Sequence, residues 1–277
     1  MKLPHRITVL ISLVQELQNC ISDQNIHKLL FIYCHKYACN NAYDFIWIDN
    51  NPYCITLYED KKLLINKQIL QDLPEWTPHP DVFRFAKKLD MLEKLSLQKL
   101  KNDIEKNVLT DEIIFQNYNN YFKPIDTSED QMIFYTIGYE GINLEQYLNK
   151  LLKNKVHWLC DVRRNPYSQK FGFSKAELIK ALSMVNINYI HIPELGVSSS
   201  LRQDLKNDVG YYNLLKHYET DILPHQQRNI VLLKNLLIEH KRIAITCFEA
   251  KISHCHRSKI ATLMSKESRQ EYRVSHI

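Results

Sequence analysis

The chain has 277 residues, room for two domains of ordinary size, and is 45% apolar and 24% charged, as water-soluble globular proteins usually are. It contains no run of about 18 apolar residues, and no small-residue cleavage site follows its amphipathic start, so neither a transmembrane helix nor a signal peptide is expected. The seven cysteines are odd in number and irregularly spaced, which argues against a disulfide framework and predicts a reducing cytoplasm.

The net charge of +5 is unevenly divided between the two halves of the chain. Residues 1–130 carry 15 Lys and Arg against 18 Asp and Glu, a net of −3, whereas residues 131–277 carry 21 against 13, a net of +8. All five glycines also lie in the second half. We therefore expect two domains of different build, and the basic half is the better candidate for a phosphate-bearing ligand.

The first 80 residues predict a small helical module with one hairpin. Apolar residues recur at helical spacing over 6–20, and a second helix is expected from Ser22. Aromatic and β-branched runs at 45–48 and 53–57 flank a turn and predict a hairpin or wing, which a helix over 61–70 follows. This order is typical of a winged helix-turn-helix, and a helical adaptor with a surface loop is the alternative.

The middle of the chain predicts a linking region. Residues 71–80 are rich in proline and indicate a stiff connector. A long helical region follows from about Val82 to Asn120, with leucines mixed among Lys and Glu. The polar segment 123–130 marks a boundary, so residues 81–130 are expected to form a helical connector or arm and residues 131–277 the second domain.

Strand-like and helix-like segments alternate from Met132 onward. Ser174 and Glu177 match a capping box at the start of one predicted helix. Such alternation predicts an α/β fold, with a mainly parallel sheet covered by helices on both faces in a Rossmann-like layering. The predicted strands are 133–137, 157–160, 189–192, 243–247 and 272–277, and the predicted helices include 144–152, 229–240 and 256–265.

Polar residues follow the predicted strands, at the points where the strands end. Because the carboxyl ends of parallel strands meet at one edge of a sheet, we expect these residues to form a common site. Gly196, after the third strand of this half, is expected to supply a turn with positive φ. The candidates at this edge are Tyr139, Asp161, Arg163, Arg164, Glu194, Cys247, Glu249 and His276.

The segment that follows the fourth strand concentrates reactive side chains. Two thiols, Cys247 and Cys255, stand close in sequence to Glu249, His256 and Arg257, between an apolar strand and a helix. A helix N-terminus with a nearby guanidinium favours a thiolate, so a nucleophile or a ligand contact is expected here. A buried structural pair of cysteines beside a histidine is the alternative.

The same segment matches neither a usual zinc motif nor a phosphate loop. Structural zinc ligands normally come in pairs two to four residues apart, whereas Cys247, Cys255 and His256 have the spacing C-x7-C-H. Arg257 lies ten residues after Cys247 and two after Cys255, so the spacing Cys-x5-Arg is not met. The sequence therefore predicts no cofactor, with zinc at these three residues as the alternative.

Two of the polar candidates allow more than one interpretation. Asp161 can form a structural ion pair with Arg163 or Arg164, or an arginine can hold a phosphate or carboxylate in bidentate fashion. Glu194 can cap the following loop or act as a base. These alternatives stay open at the level of sequence.

Ordered short motifs run through the second half: Tyr135–Tyr139, Asp161–Arg163, Pro166–Ser168, Phe171–Ser174, Leu195–Gly196, Cys247–Glu249, Cys255–Arg257 and His276–Ile277. Together they resemble the family called domain of unknown function 488, over about residues 132–277. The chain departs from the family pattern at Val197, where the family carries a glycine, and at Ala250–Ile252, where an acidic residue is frequent. The first half is similar to helical or winged-helix modules that precede this domain in bacterial proteins.

The resemblance implies an α/β domain with a site and no established reaction. We expect a bacterial cytoplasmic protein that binds or processes a nucleotide or a nucleic acid, with Arg163, Arg164 and Arg257 holding phosphate. Asp161 and Glu249 are expected to position these groups or to act as acid and base. The family's setting implies nucleic-acid modification, repair or phage defence.

A non-enzymatic regulator is the rival hypothesis, in which the α/β domain senses a ligand and the N-terminal module binds DNA. A subunit of a larger complex is the third. A DNA-reading helix should carry Lys and Arg on one face, yet residues 1–130 have a net charge of −3. We therefore expect the N-terminal module to bind a protein partner, and no membrane contact is expected.

Overall fold

The computed structural model describes residues 3–17, 21–23, 25–38, 42–49, 51–71, 76, 78, 89–109, 116, 130–202, 208–268 and 271–277. The chain divides into two compact units, residues 1–123 and 124–277. Each unit has a hydrophobic core of its own. None of the described helices combines the length and the apolar character that crossing a membrane requires.

The N-terminal unit is helical and carries one short hairpin, as the sequence predicts. Its hairpin consists of β1 (Ile46–Ile48) and β2 (Asn51–Tyr53), which pair antiparallel. The helices bury their apolar residues in one core, which explains why amphipathic segments fold here. The helices are α1 (His5–Glu16), α2 (Ile26–Ile32) with a following π-helical turn (Tyr33–Tyr37), α3 (Thr56–Asn66) and α4 (Met91–Glu105).

Two boundaries in this unit differ from the prediction. The second arm of the hairpin is Asn51–Tyr53 rather than 53–57, and α3 begins at Thr56 rather than near residue 61. The reason is that Asp49 adopts a φ of 48°, so the turn begins directly after Ile48 and the second strand is already complete at Tyr53. The residues from Thr56 onward can then form the helix.

The predicted helical region 82–120 is shorter among the described residues: α4 begins after the Asp90 cap and ends at Glu105, and Asn107 follows with a φ of 54°. Most of the rest of that region, most of the predicted connector and residues 123–129 of the boundary lie outside the described residues.

The second unit confirms the predicted α/β fold. Its five strands form an all-parallel sheet with the order β5-β4-β6-β3-β7, and helices pack around it. The strands are β3 (Ile133–Gly138), β4 (Trp158–Asp161), β5 (Asn188–His191), β6 (Arg242–Cys247) and β7 (Arg273–His276). The helices are α5 (Leu144–Lys153), α6 (Lys175–Ser183), α7 (Asp208–His217), α8 (Gln227–His240) and α9 (Arg257–Glu267).

The strand order creates a switch point between β3 and β6. The chain leaves β3 across β6 to reach β4, and it leaves β6 across β3 to reach β7, so the two connections run in opposite directions. Gly138 pairs with Cys247, and Asp161 pairs with Thr246, so three strands end side by side. In open parallel sheets the crevice outside such strand ends is the usual ligand site.

The predicted capping box at the start of α6 is wrong, although the helix begins where it was expected. Ser174 Oγ makes no capping hydrogen bond to the helix. It donates instead to the carbonyl of Ser168 at 2.8 Å and accepts from the Ser168 N–H at 3.1 Å. The serine therefore ties the loop after β4 to the start of α6, which holds that loop beside the strand ends.

Candidate functional site

A cleft of about 310 Å³ opens at the carboxyl ends of β3, β4 and β6. The loop after β4 contributes most of its wall, and the ends of β3 and β6 close it. It contains four of the residues predicted from sequence and adds five that were not among the candidates. The lining residues are Tyr139, Arg163, Arg164, Asn165, Tyr167, Ser168, Val197, Cys247 and Phe248.

Asp161 and Arg163 form a buried ion pair at the floor of this edge. Asp161 is fully buried and accepts hydrogen bonds from the Arg163 backbone N–H, from Arg163 Nε and Nη2, and from Tyr189 Oη at 2.8 Å. Burial, together with the charge of Asp161, raises the pKa of Tyr189, so its hydroxyl remains a donor at neutral pH. The carboxylate is thus fully engaged within the protein.

The guanidinium of Arg163 is engaged in the same way. Its Nη1 donates to Tyr139 Oη and to the carbonyl of Phe173, each at 2.8 Å. Only 4% of the residue is exposed. Of the two readings that the sequence allowed, the structural ion pair applies to Asp161 and Arg163.

Arg164, the next residue, is the exposed arginine of the cleft. Its Nη1 makes a long hydrogen bond of 3.3 Å to the carbonyl of Pro193. Tyr167 is also exposed, at 70%, and its backbone N–H is held by Asn165 Oδ1 at 3.2 Å. A cation and an aromatic ring therefore stand together at the cleft, where solvent reaches both.

Cys247, Cys255 and His256 form a buried cluster behind the Cys247 wall of the cleft. The sulfur atoms of both cysteines lie 3.9 Å from His256 Nδ1, and the three potential ligand atoms all lie within 4.8 Å of one another. His256 Nε2 donates to the carbonyl of Val162 at 3.1 Å. The ring of Tyr218 packs edge-on against the imidazole at 5.4 Å and helps to fix its orientation.

The expected thiolate at this cluster is not favoured for Cys255. Burial raises the pKa of its thiol well above the usual value, and the hydrogen bond and charge of Cys247 and the charge of Glu249 add to this effect. The Arg257 guanidinium acts in the opposite direction but does not outweigh burial. Cys247 Sγ also donates to Glu249 Oε2 at 3.1 Å, which brings a carboxylate to the same place.

Arg257 is a structural clamp rather than an exposed anion contact. It is 2% exposed, and its guanidinium donates to the carbonyls of Glu249 and Ala250. Gly138 makes this approach possible, because a Cβ there would lie 2.0 Å from the Glu249 carbonyl oxygen. The loop after β6 is thereby held tightly against the end of β3.

Gly196 is required for a different reason from the one expected. Its φ is −90°, so the predicted positive φ is wrong. A Cβ at this position would lie 2.3 Å from the Arg164 backbone nitrogen. The glycine therefore allows the loop after β5 to approach the backbone at Arg163 and Arg164.

Of the seven predicted residues that do not line the cleft, Glu194 and His276 belong neither to the buried ion pair nor to the segment after β6. Glu194 is exposed in a short 3-10 turn, Pro193–Leu195. His276 lies on edge strand β7, with Nδ1 2.8 Å from Thr136 Oγ1. Neither is among the lining residues.

The cleft residues that sequence reasoning did not select belong mainly to the loop after β4. Asn165 and Ser168 lie within the loop that begins after Asp161, and their place after a strand end was the available signal. Glu140 was missed as well, although its Oε2 accepts from the Ala250 N–H at 2.9 Å and joins the loops after β3 and β6. Val197 and Phe248 are apolar, so a search for reactive side chains passes over them.

Residues 143–264 match the model of a family described as Domain of unknown function DUF488. No curated protein and no solved structure matches the chain.

Proposed function

We propose a function for the α/β unit from its site, because the unit belongs to the DUF488 family and the description of that family names no reaction. The proposed function is binding of a phosphate-bearing ligand, a nucleotide or a nucleic-acid strand, in the cleft at the strand ends. The observation that carries this proposal is the pairing of one exposed guanidinium, Arg164, with one exposed aromatic ring, Tyr167, in a single cleft. These are the two groups that a nucleotide needs, since one meets the phosphate and the other stacks on the base.

Arg164 is the proposed phosphate contact. An arginine presents a planar fork of donors that matches phosphate oxygens, and its side chain here is exposed and only weakly held. The net charge of +8 over residues 131–277 supports the attraction of an anionic ligand. Arg163 and Arg257 support the cleft from within, because their guanidinium groups are bound to protein oxygens.

Tyr167 is the proposed stacking surface, with polar help from its neighbours. Stacking on an aromatic side chain contributes about 1–3 kcal/mol per base and tolerates different bases. The Asn165 side chain braces the loop at Tyr167, so the ring is presented from a fixed backbone. Ser168 adds a hydroxyl to the same wall.

Processing of the ligand, if the unit is an enzyme, would involve Cys247 and Glu249. Cys247 lines the cleft, and Glu249 accepts its S–H, so a carboxylate lies one hydrogen bond away from the cleft wall. Glu249 is the proposed acid or base. Nucleic-acid modification, repair or phage defence are the processes that would use such a site.

For the N-terminal unit we propose a protein partner. Its hairpin between α2 and α3 leaves the winged-helix interpretation open, but the net charge of −3 over residues 1–130 disfavours contact with a phosphate backbone. A ligand-sensing regulator would need this unit to bind DNA. The test is binding of duplex DNA at low salt by the full chain and by Arg164→Met: duplex binding that is equally strong in Arg164→Met would favour the regulator.

The decisive experiment is equilibrium binding of a panel of mononucleotides, dinucleotides and single-stranded oligonucleotides to the full chain and to Arg164→Met. Loss of one charge-assisted contact should weaken binding about ten- to a hundredfold. Arg228→Met is the matched control, since Arg228 is an exposed arginine of α8 that does not line the cleft. Equal affinity of the wild type and Arg164→Met for every ligand that binds would overturn the proposal, as would the absence of binding to the whole panel.

A further inference from the structure

We propose that Cys247, Cys255 and His256 bind a soft divalent metal ion, with zinc the expected one, through three protein ligands. The ion would lie in the wall of the cleft that Cys247 forms. This inference does not depend on the proposed phosphate ligand, because it rests on the arrangement of three buried side chains alone.

The distances from both sulfur atoms to the imidazole are close to those of a zinc site. Tetrahedral zinc, with Zn–S of about 2.3 Å and Zn–N of about 2.0–2.1 Å, places a sulfur and a nitrogen roughly 3.6 Å apart. Both sulfur atoms lie 3.9 Å from His256 Nδ1. The two sulfur atoms lie within 4.8 Å of each other, so the three atoms surround one point that a metal ion could occupy once the side chains close around it.

The hydrogen bond of His256 sets the tautomer that a metal requires. The carbonyl of Val162 can only accept, so Nε2 carries the proton in this hydrogen bond of 3.1 Å. The neutral ring then has its lone pair on Nδ1, which faces the two sulfur atoms. Metal-binding histidines usually donate their second N–H to a carbonyl or carboxylate in this way.

A metal also accounts for the concentration of acidic groups in a buried place. Two thiols lie beside the Glu249 carboxylate, and Cys247 and Cys255 are both about 1% exposed. A divalent ion would take the place of the two thiol protons, and the two thiolates would balance its charge.

The usual ligand spacing is not required at this proposed site, because its ligands come from different elements. Cys247 ends β6, whereas Cys255 and His256 lie between a 3-10 turn (Ile252–His254) and the start of α9. The intervening loop brings them together, so no short metal-binding knuckle is needed. Three protein ligands with one open position is the pattern of catalytic zinc sites, where the ion activates water or polarises a substrate oxygen.

The test is metal binding by the full chain without any nucleotide. Purified protein, stripped and reloaded, should take up one equivalent of Zn²⁺ or Co²⁺, and the cobalt form should show thiolate-to-cobalt charge transfer and the visible bands of tetrahedral Co²⁺. Cys247→Ser, Cys255→Ser and His256→Gln should each lose about a hundredfold or more in Co²⁺ affinity, which exceeds the roughly 10- to 100-fold loss that a supporting residue causes. Cys160→Ala is the matched control, since Cys160 is a buried free cysteine on the neighbouring strand β4.

A second measurement uses only the wild-type protein, in case a variant fails to fold. Titration of the zinc-loaded native chain with an organomercurial should release one zinc as two thiols react. Absence of metal uptake, or Co²⁺ affinity and charge-transfer intensity that are unchanged in both Cys247→Ser and Cys255→Ser, would overturn the proposal. Because no nucleotide is present, these results are independent of the binding test on Arg164.

Discussion

Arg163 and Asp161 lie two residues apart at the end of β4 and form a buried ion pair, with Arg163 Nη2 2.5 Å from Asp161 Oδ2. The side chain of Arg163 is 5% exposed and that of Asp161 is 0% exposed, so neither charge is available to solvent or to a ligand unless the fold opens. Tyr139 and Tyr189 complete it, one on each partner. The polar residues nearest the cleft floor thus shape the site rather than act in it.

Arg163→Met should therefore destabilise the α/β unit strongly. Removing one partner of a buried pair leaves the other charge without compensation, which costs about 3–5 kcal/mol. Urea denaturation combined with hydrogen-exchange mass spectrometry of peptides from residues 130–202 would measure the free energy of unfolding of this unit.

Arg164→Met provides the contrast from the adjacent position. Arg164 is exposed, so its removal should change the free energy of unfolding by less than about 0.5 kcal/mol. The same substitution should weaken binding of the proposed phosphate-bearing ligand. Equal stability of Arg163→Met and Arg164→Met would show that the ion pair does not support the fold.

The contrast between these neighbours also shows where sequence reasoning ends. Alternation of apolar and polar segments was enough to predict the five strands and the meeting of Asp161 with Cys247 at one edge, because both follow from strand direction. Which of two adjacent arginines turns inward depends on the backbone after β4. No periodicity in the sequence records that direction.

The same limit applies to side-chain partners in loops. Ser174 had the right type and spacing for a capping box, yet its hydroxyl is taken by Ser168 from the loop before the helix. The sequence predicts a positive φ at Gly196, whereas the role of this glycine comes from its contact with a segment about thirty residues earlier. Tertiary contacts decided both cases, and a single sequence carries no direct signal for them.

Gly138→Ala should destabilise the α/β unit more than Gly141→Ala. A Cβ at Gly138 would lie 2.0 Å from the Glu249 carbonyl oxygen, so the backbone of the following loop must move, at a cost of about 3 kcal/mol. Gly141 has open space around it but a φ of 79°, which costs an alanine about 1–2 kcal/mol. Thermal and urea unfolding of the two variants would rank them, and the reverse order would contradict the close packing of these loops.

Stability of the N-terminal unit should fall below about pH 6.5 because of His27. Burial lowers the pKa of His27 from its ordinary 6.5 to about 4, and Asp23 only partly opposes this shift. The folded state binds the proton less readily than the unfolded chain, so stability is complete above pH 6.5 and is lost as the pH falls toward 4. Between pH 7 and pH 5 the expected loss is about 2 kcal/mol.

His27→Asn is the variant that isolates this effect. His27 Nδ1 accepts the Cys54 N–H at 3.1 Å, and an asparagine oxygen can take over that acceptor without titrating. Its unfolding free energy should change less between pH 7 and pH 5 than that of the wild type. His225→Asn removes an exposed imidazole as the control and should keep the wild-type slope. An identical slope in His27→Asn would rule out this histidine as the titrating group.

The two tyrosines that hold the Asp161–Arg163 pair should be energetically coupled. Tyr139 Oη accepts from Arg163, whereas Tyr189 Oη donates to Asp161, so each hydroxyl acts on the same pair from its own side. Tyr139→Phe and Tyr189→Phe both keep the aromatic ring, including the stacking of ring 139 on Phe173 at 4.3 Å. Each variant should therefore lose only the charge-assisted hydrogen bond, which lowers the free energy of unfolding by about 1.5–3 kcal/mol. In a double-mutant cycle the losses should depart from additivity by about 0.5 kcal/mol or more. The control is a cycle of Tyr139→Phe with Tyr272→Phe, since the Tyr272 hydroxyl donates to the Met264 carbonyl, and this cycle should be additive. Additivity in both cycles would mean that the Asp161–Arg163 pair does not respond as one unit.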